Sequence, residues 1–540
     1  MKDAVKSAVL IALVTLFIGY VQYYGIDRLV LNSDELFRAR ALVSSDWDLF
    51  HVAWPENAVR EEFNNWPMHL PPGLGLFMRA AIVVLGPNHL HLALRFWPWL
   101  LGVLGVWLVY AMYRTYGGKR FAWLVLPLAA LACNQTFEFC KSMKHYTADM
   151  VFCSLQYIFA WRVYRHGRTR DWFWLAIVSG VGFWFAFGVV FTTAAIFAGL
   201  ILALLFERRA VSARQKIWPR LAGSLAVIAI SGIGLYLLIV RQAISNENFI
   251  GHISHSGLQL FDWSQVGSLS YWARYLSRAV YHTLRVSVFF FRDNWPFGTL
   301  VNLSILGYIW ISVREKNWFS PFVFLAPWLL IIIGSFANVF PLQAYRVISF
   351  LLPAWIVMIV LAWRSGYDAF VLKRKNIARL GLALLLAATA SLCYLNIRDA
   401  FYLRFGGGRK VDKAMSALMQ NARDGDTVFL HWGAILPFYI YATDHQAGYL
   451  DSYPIKNEHG GQLQVLYGDE HRDRLKAYEA QFQQVEAVKG RLWVAFAHQW
   501  PSVDMLALKE RLLKKRTLLQ EHDFKKCQVL LFAPLPDAKP

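Results

Sequence analysis

LAGSLAVIAISGIGLYLLIV, residues 221–240, runs twenty positions without a charge. A helix of that length rises about 30 Å, the thickness of a bilayer's hydrocarbon core. Apolar runs of roughly 17 to 20 residues recur through the first 400 positions. They lie near 7–26, 92–112, 121–137, 150–164, 172–189, 190–206, 221–240, 298–313, 320–337, 347–363 and 377–396. The 540 residues are 57% hydrophobic and 16% aromatic, with a mean hydropathy of +0.35. That leaves too little polar surface to wrap one soluble core. The sequence predicts an α-helical polytopic membrane protein with about 11 transmembrane helices, interfacial helices in its outer loops, and a small C-terminal α/β domain.

The first run follows Lys2 and Lys6, is longer than a signal-peptide core and lacks a small-x-small cleavage site. It reads as a retained span. The stretch GLGLFMRAAIVVLG, 73–86, is short and interrupted by Arg79, and reads as an interfacial helix. With it out of the count, the N-terminus and the loops 113–120, 162–170, 207–220, 314–316 and 364–379 share one side. Together they carry 21 Lys and Arg. The positive-inside rule makes that side cytoplasmic, and it explains the net charge of +20 without any nucleic-acid partner. The loops 27–91 and 241–297, and everything after 397, then face outward. Five cysteines show no metal-ligand spacing.

SYWARYLSRAVYHTLRVSVFFFRDNW, within the second outer loop, mixes aromatic residues with Arg and suggests helices lying along the interface. Past about 400 the composition changes. FGGGRK is a hinge, and strand-like runs (TVFLHW, RLWVAFAH, CQVLLFAP) alternate with helix-like ones (RDRLKAYEAQFQQVEAV, VDMLALKERLLKKR). The expected division is a transmembrane domain, 1–398, and an extracytoplasmic α/β domain, 399–540.

Three clusters carry chemistry. LNSDELFRARAL, 31–42, sets Asp34 and Glu35 just past the first span, with Ser33 as a candidate N-cap. Glu35 also suits a first helical turn. Either acid is placed to take a proton from an acceptor hydroxyl or amine. NQTFEFCKSMKHYTADM, 134–150, packs Glu138, Lys141, Lys144, His145, Tyr146 and Asp149 between two short spans, at membrane depth. Its lysines suit an anionic headgroup. In NVFPLQAYRVISFLLP, 338–353, Arg346 enters an apolar run after a Pro-containing turn, where it either snorkels or clamps a phosphate. GHISHSG, with His252 and His255, has glycines on both sides and makes a poor metal site. The sequence holds no P-loop and no GxSxG.

The acidic pair, then HLPPGLGLFMRAAIVVLG, then LHLALRFWPWLLGVLGVWLVYAMYR, resembles the N-terminal half of lipid-dependent glycosyltransferases with the C-type membrane fold. Closest in pattern are the protein O-mannosyltransferases and the bacterial aminoarabinose (lipid A) transferases. The resemblance covers roughly 5–210 and returns over 330–355. Here the basic residue before the two prolines, His69, sits one place earlier than in those families. The resemblance implies transfer of a hexose or pentose from a polyprenyl-phosphate donor to a lipid, glycan or protein acceptor. The implied setting is the periplasmic face of a bacterial inner membrane. By that analogy Asp34 is the general base and Glu35 orients the acceptor or helps place a Mg or Mn ion, with no cofactor firmly implied. Arg346, Lys144, Lys141 and His69 hold the donor phosphate. Glu138, Tyr146 and Asp149 contact acceptor or sugar. The displacement inverts the sugar carbon, because one base and one leaving group suffice.

Two readings compete outside the enzyme class. A transporter or flippase for lipid-linked sugars predicts charges along several spans and repeated halves, and no repeat is visible. A non-catalytic membrane scaffold predicts that Asp34→Asn is silent. Within the enzyme class, transfer of a preassembled oligosaccharide predicts a WWDYG-like run, which the C-terminal region lacks.

Overall fold

In a computed structural model of the chain, the described residues are 2–24, 42, 51–52, 66–67, 71–86, 89–206, 211–241, 263–336, 348–373, 375–401, 411–431, 434–435, 438, 455–456, 461–467, 479–497, 503–524 and 527–536. They divide into two compact units, one of Met1–Gly25, Leu70–Leu74 and Arg95–Tyr402, the other of Ile26–His69, Gly75–Leu94 and Leu403–Pro540.

The first unit is helical. Its chain-order elements are α1 (Lys2–Tyr23), the start of α2 (Pro72–Leu85), most of α3 (Leu90–Gly117), α4 (Ala122–Pro127), α5 (Asn134–Cys140), α6 (Tyr146–His166), α7 (Thr169–Phe185), α8 (Val189–Phe206), α9 (Val211–Leu235), α10 (Leu269–Phe290), α11 (Trp295–Arg314), α12 (Phe319–Phe336), α13 (Leu352–Lys373) and α14 (Lys375–Phe401). Ten of the eleven expected spans coincide with one of these helices, and the other, 121–137, is divided among α4, a π-helical turn and α5. Among the described residues seven helical segments are long and apolar enough to cross a membrane: Leu90–Gly117, Val189–Phe206, Ile217–Leu238, Trp295–Arg314, Phe319–Phe336, Ser349–Ala369 and Arg379–Asp399. Val9–Tyr23 and Ala122–Ala132 are apolar but shorter. Helix α7 is 17 residues long, and α6 carries a buried polar stripe that lowers its hydropathy.

That stripe follows helical spacing. Asp149, Cys153 and Gln156 succeed one another at four and three residues and point at α8 and its approach. Cys153 Sγ lies 3.5 Å from Thr192 Oγ1. Gln156 donates to Ser179 Oγ (2.8 Å) and Thr193 Oγ1 (2.6 Å), while its carbonyl accepts from Thr192. Between apolar helices such bonds satisfy groups that water cannot reach.

Helix α4 ends in a local irregularity. Pro127 supplies no N–H and crowds the preceding turn, and Leu128–Ala132 continue as a π-helix. Asn396 Nδ2 on α14 donates to the carbonyls of both Leu131 and Ala132, at 2.9 Å each. The early stop delivers the chain into the 134–150 segment.

In the second unit the sheet runs β4–β5–β3–β6–β8–β7, with β3 (Thr427–Leu430) between β5 (Gln462–Tyr467) and β6 (Leu492–Ala497) and parallel to both. The strands β4 (Ile455–Lys456), β7 (Leu518–Phe524) and β8 (Cys527–Phe532) are antiparallel to their neighbours. A separate two-stranded pair joins β1 (His51–Val52) to β2 (Trp66–Pro67). Alternation along the central strands covers both faces of the large sheet. Val428, Leu430, Trp493, Ala495, Val529 and Leu531 pack against α15 (Val411–Asn421). Phe429, Leu492, Val494, Phe496, Leu530 and Phe532 pack against α16 (Glu479–Glu486) and α17 (Val503–Lys515). Gly425, at φ +77°, makes the turn into β3. Beside it, Asp426 accepts from Arg423 N and Trp493 Nε1, each at 2.9 Å.

Candidate active site

The segment 134–150 forms α5, a turn over 141–145, and the first turn of α6. It sits tightly against α3. A Cβ on Gly102 would lie 2.1 Å from Cys140 Sγ, so a larger residue there must displace that side chain.

Lys141 opens the turn and is 4% exposed. Its Nζ donates to Tyr24 O at the end of α1, 2.8 Å away. Burial pushes its ammonium down to about 8, and the nearby Arg95 cation pushes the same way, while Cys140 opposes them. Arg95 is itself 1% exposed. Among the described residues no carboxylate lies within ion-pair distance of Lys141. Arg95 is absent from the donor ligands expected from sequence. Its signal is the lone cation that opens the apolar run ALRFWPW.

Lys144 is half-buried, with its ammonium 5.8 Å from the centre of the Tyr146 ring. Tyr146 is buried and also meets Phe139 at 4.5 Å. Glu138 is half-buried on α5. Asp149 has no exposed surface. One of its oxygens accepts from Gly188 N at 3.0 Å, and the other accepts from Ser349 Oγ at 3.1 Å and lies 3.7 Å from His145 Nε2. It therefore joins α6 to the turn before α8 and to the residues that lead into α13. Gly188 is pressed against Phe350, where a Cβ would sit 2.4 Å from the ring. Lys141, Lys144, Glu138, Tyr146 and Asp149 thus lie on this one segment, with Lys144 against Tyr146 and Asp149 turned to Gly188 and Ser349. Asp34, Glu35, His69 and Arg346 lie outside the described residues. Ser349, three positions after Arg346, ends next to Asp149.

Residues 69–236 match the model of the dolichyl-phosphate-mannose-protein mannosyltransferase family. Over 98% of both chains, the structure superposes on ArnT from Cupriavidus metallidurans bound to undecaprenyl phosphate, with a TM-score of 0.57 and 13% identity. The apo state of that protein gives 0.54 and 14% over the same share. The chain has the ArnT fold. The oligosaccharyltransferase of Archaeoglobus fulgidus, in complex with Zn and sulfate, matches at 0.55 and 14% identity over 89% of this chain and 67% of its own. No curated protein matches the chain in sequence. The resemblance read from the residues, to lipid-dependent glycosyltransferases of the C-type fold, is borne out by the family match and the fold together. The chain is an α-helical polytopic membrane protein with that fold.

Among the described residues no three His, Cys, Asp or Glu side chains converge as metal donors. Asp34 and Glu35 lie outside them, so their fitness to hold a cation rests on the sequence alone.

Proposed function

We propose that this protein transfers a sugar from a polyprenyl-phosphate donor to an acceptor at the membrane surface, with inversion at the sugar carbon. The observation that carries this reading is the buried Lys141, which no described carboxylate meets, in a fold shared with a protein solved with undecaprenyl phosphate. A sugar phosphodiester carries one negative charge, and the departing lipid phosphate gains a second. Cations already aimed at that oxygen stabilise charge as it develops, without reorganising water. Lys141, Lys144, Arg346 and His69 are assigned to that phosphate. Asp34 takes the proton from the acceptor hydroxyl or amine as the new bond forms, and Glu35 orients that acceptor. Glu138 and Tyr146 line the approach. Asp149 acts through Gly188 and Ser349 rather than by touching substrate.

The acceptor is a lipid, glycan or protein of the cell envelope. The proposed setting is a bacterial inner membrane with the N-terminus cytoplasmic and the C-terminal domain, from about 399, periplasmic. No step here is routed through a metal. A Mg or Mn ion held by Asp34 and Glu35 would be revealed by chelation, with activity lost in EDTA and restored by that ion.

The deciding experiment is turnover of labelled polyprenyl-phosphate sugars by purified protein, with envelope extract as acceptor and Asp34→Asn in parallel. One donor consumed, with the folded mutant slowed by about 10²- to 10⁴-fold, is the expected result for loss of a general base. Equal turnover by both proteins overturns the assignment of Asp34. Movement of an intact lipid-linked sugar across vesicles, without transfer, would favour a transporter.

A further inference from the structure

Helix α10 divides into three faces. At 3.6 residues per turn, Arg274, Arg278 and Arg285 fall within about 40° of one another. A second face, Tyr275, Ala279, His282, Val286 and Phe290, is buried against the helical unit. The third, Leu269, Leu276, Val280 and Leu284, is apolar yet exposed, with Leu269 at 85% and Val280 at 60%. A solvated surface helix does not leave such a strip open, and a buried helix does not carry an exposed arginine stripe. A helix lying in a membrane interface needs both.

Residues 263–292 contain four arginines, with acids only at the flanking positions Asp262 and Asp293. The last, Arg292, is paired with Asp399 at 2.5 Å. Arg274 and Arg278 are exposed, and among the described residues no carboxylate pairs with either. Arg285 lies over the Tyr281 ring and donates to its hydroxyl at 3.1 Å. Tyr281 and Trp295, both exposed, meet at 6.2 Å between ring centres, as aromatic residues at headgroup depth do.

We infer that α10 lies in the membrane interface and that its Arg274–Arg278–Arg285 stripe binds the phosphate groups of anionic phospholipid headgroups. Complementary charge and the adjoining open apolar strip fit one occupant, a lipid whose acyl chains cover the strip while its headgroup meets the guanidinium forks. The helix's far end is fixed to the candidate site, because Gln135 Nε2 donates to Phe289 O at 3.2 Å. Lipid on the stripe therefore sits on the element that flanks the Lys141 turn. This inference does not depend on the reaction proposed above.

The test is titration of detergent-solubilised full-length protein with short-chain phosphatidylglycerol, read by native mass spectrometry. Phosphatidylcholine and undecaprenyl phosphate serve as parallel probes. The double variant R274Q/R278Q changes only exposed side chains. An R162Q/R165Q protein, altered at the end of α6, controls for loss of charge. Expected are preferential binding of phosphatidylglycerol, weakened roughly 10- to 30-fold in R274Q/R278Q and by added salt, and unchanged in the control. Equal binding of phosphatidylglycerol by wild type and R274Q/R278Q, or equal affinity for phosphatidylcholine, overturns the inference. Loss of undecaprenyl phosphate alone, with phosphatidylglycerol retained, also overturns it and makes the stripe a carrier-lipid site.

Discussion

Lys141 shows how a single side chain reports its surroundings. Its proton is lost near 8 instead of the ordinary 10.5, because burial and Arg95 both disfavour the charged form. Between those two values the unfolded chain binds more protons than the folded one, so this group's contribution to stability rises with pH across that window. Phosphate holding runs the other way, since the ammonium disappears as pH passes about 8. If Lys141 grips the donor, kcat/KM of the wild type falls above that pH, and Lys141→Arg moves the falling limb upward; a pH–rate profile of the two proteins decides. Asp149 is a second residue-scale case. Asp149→Ala leaves Gly188 N–H and Ser349 O–H buried without their acceptor, a loss of about 1–3 kcal/mol for each stranded donor. A lowered thermal midpoint, with kcat reduced more than KM is raised, is expected from a residue that positions others. The sequence marks Asp149 as an acid at membrane depth. It does not reveal that both oxygens are occupied, because Gly188 and Ser349 lie 39 and 200 positions away.

At the scale of elements, the period of the apolar pattern carries most of the information. Eleven runs were legible because each is long and uninterrupted. The π-helical end of α4 was not, since it arises from Pro127 together with an asparagine on a helix some 265 positions later. Asn396→Ala strands the Leu131 and Ala132 carbonyls and is expected to destabilise by about 1–3 kcal/mol, measured as a drop in thermal midpoint. Asn396→Asp provides no amide donor and fails to rescue it. The contact of α3 with α5 is stricter. Gly102→Leu has no room beside Cys140, so α5 must shift and carry Lys141 with it; overpacking of this kind costs about 1–3 kcal/mol. Turnover is expected to fall further than stability does, and comparing the two separates displacement of the site from unfolding. Strands β5 and β7 escaped the sequence reading. β7, LLQEHDF, is an edge strand with charged and polar side chains turned out to solvent, which hides its strand character and blunts further pairing.

For the whole molecule, each unit obeys its own solvent. The helical unit exposes Leu, Ile, Val, Trp and Phe along its outside and keeps its hydrogen-bonding residues within. In the second unit the large sheet is covered on both faces, and Val494→Ala in its centre is expected to cost about 2–3 kcal/mol through lost transfer energy and a cavity. On that unit's surface, burial works against the Glu486 carboxylate, but Arg511 at 2.5 Å and Lys515 at 2.6 Å outweigh it and hold it below its usual range. A depressed carboxylate stabilises above its unfolded value, and that contribution is lost as pH falls through the folded one. Glu486→Gln should therefore unfold less steeply with acid than the wild type, followed by circular dichroism from neutral pH downward.

The sequence by itself determined that the protein crosses a membrane many times, where its helices lie, and that a small α/β region follows. Length and hydropathy alone decide whether a segment prefers hydrocarbon. The sequence also drew attention to 134–150, because a crowd of charges between two spans is costly without a purpose. Only the tertiary structure decided that Lys141 is buried beside Arg95, that Asp149 is held by two distant segments, and that α10 presents an arginine stripe next to an open apolar strip. Each depends on which helices become neighbours. That choice is made by close packing at Gly102 and Gly188 and by the need to satisfy every polar group buried in the bundle, and neither leaves a local mark in the chain.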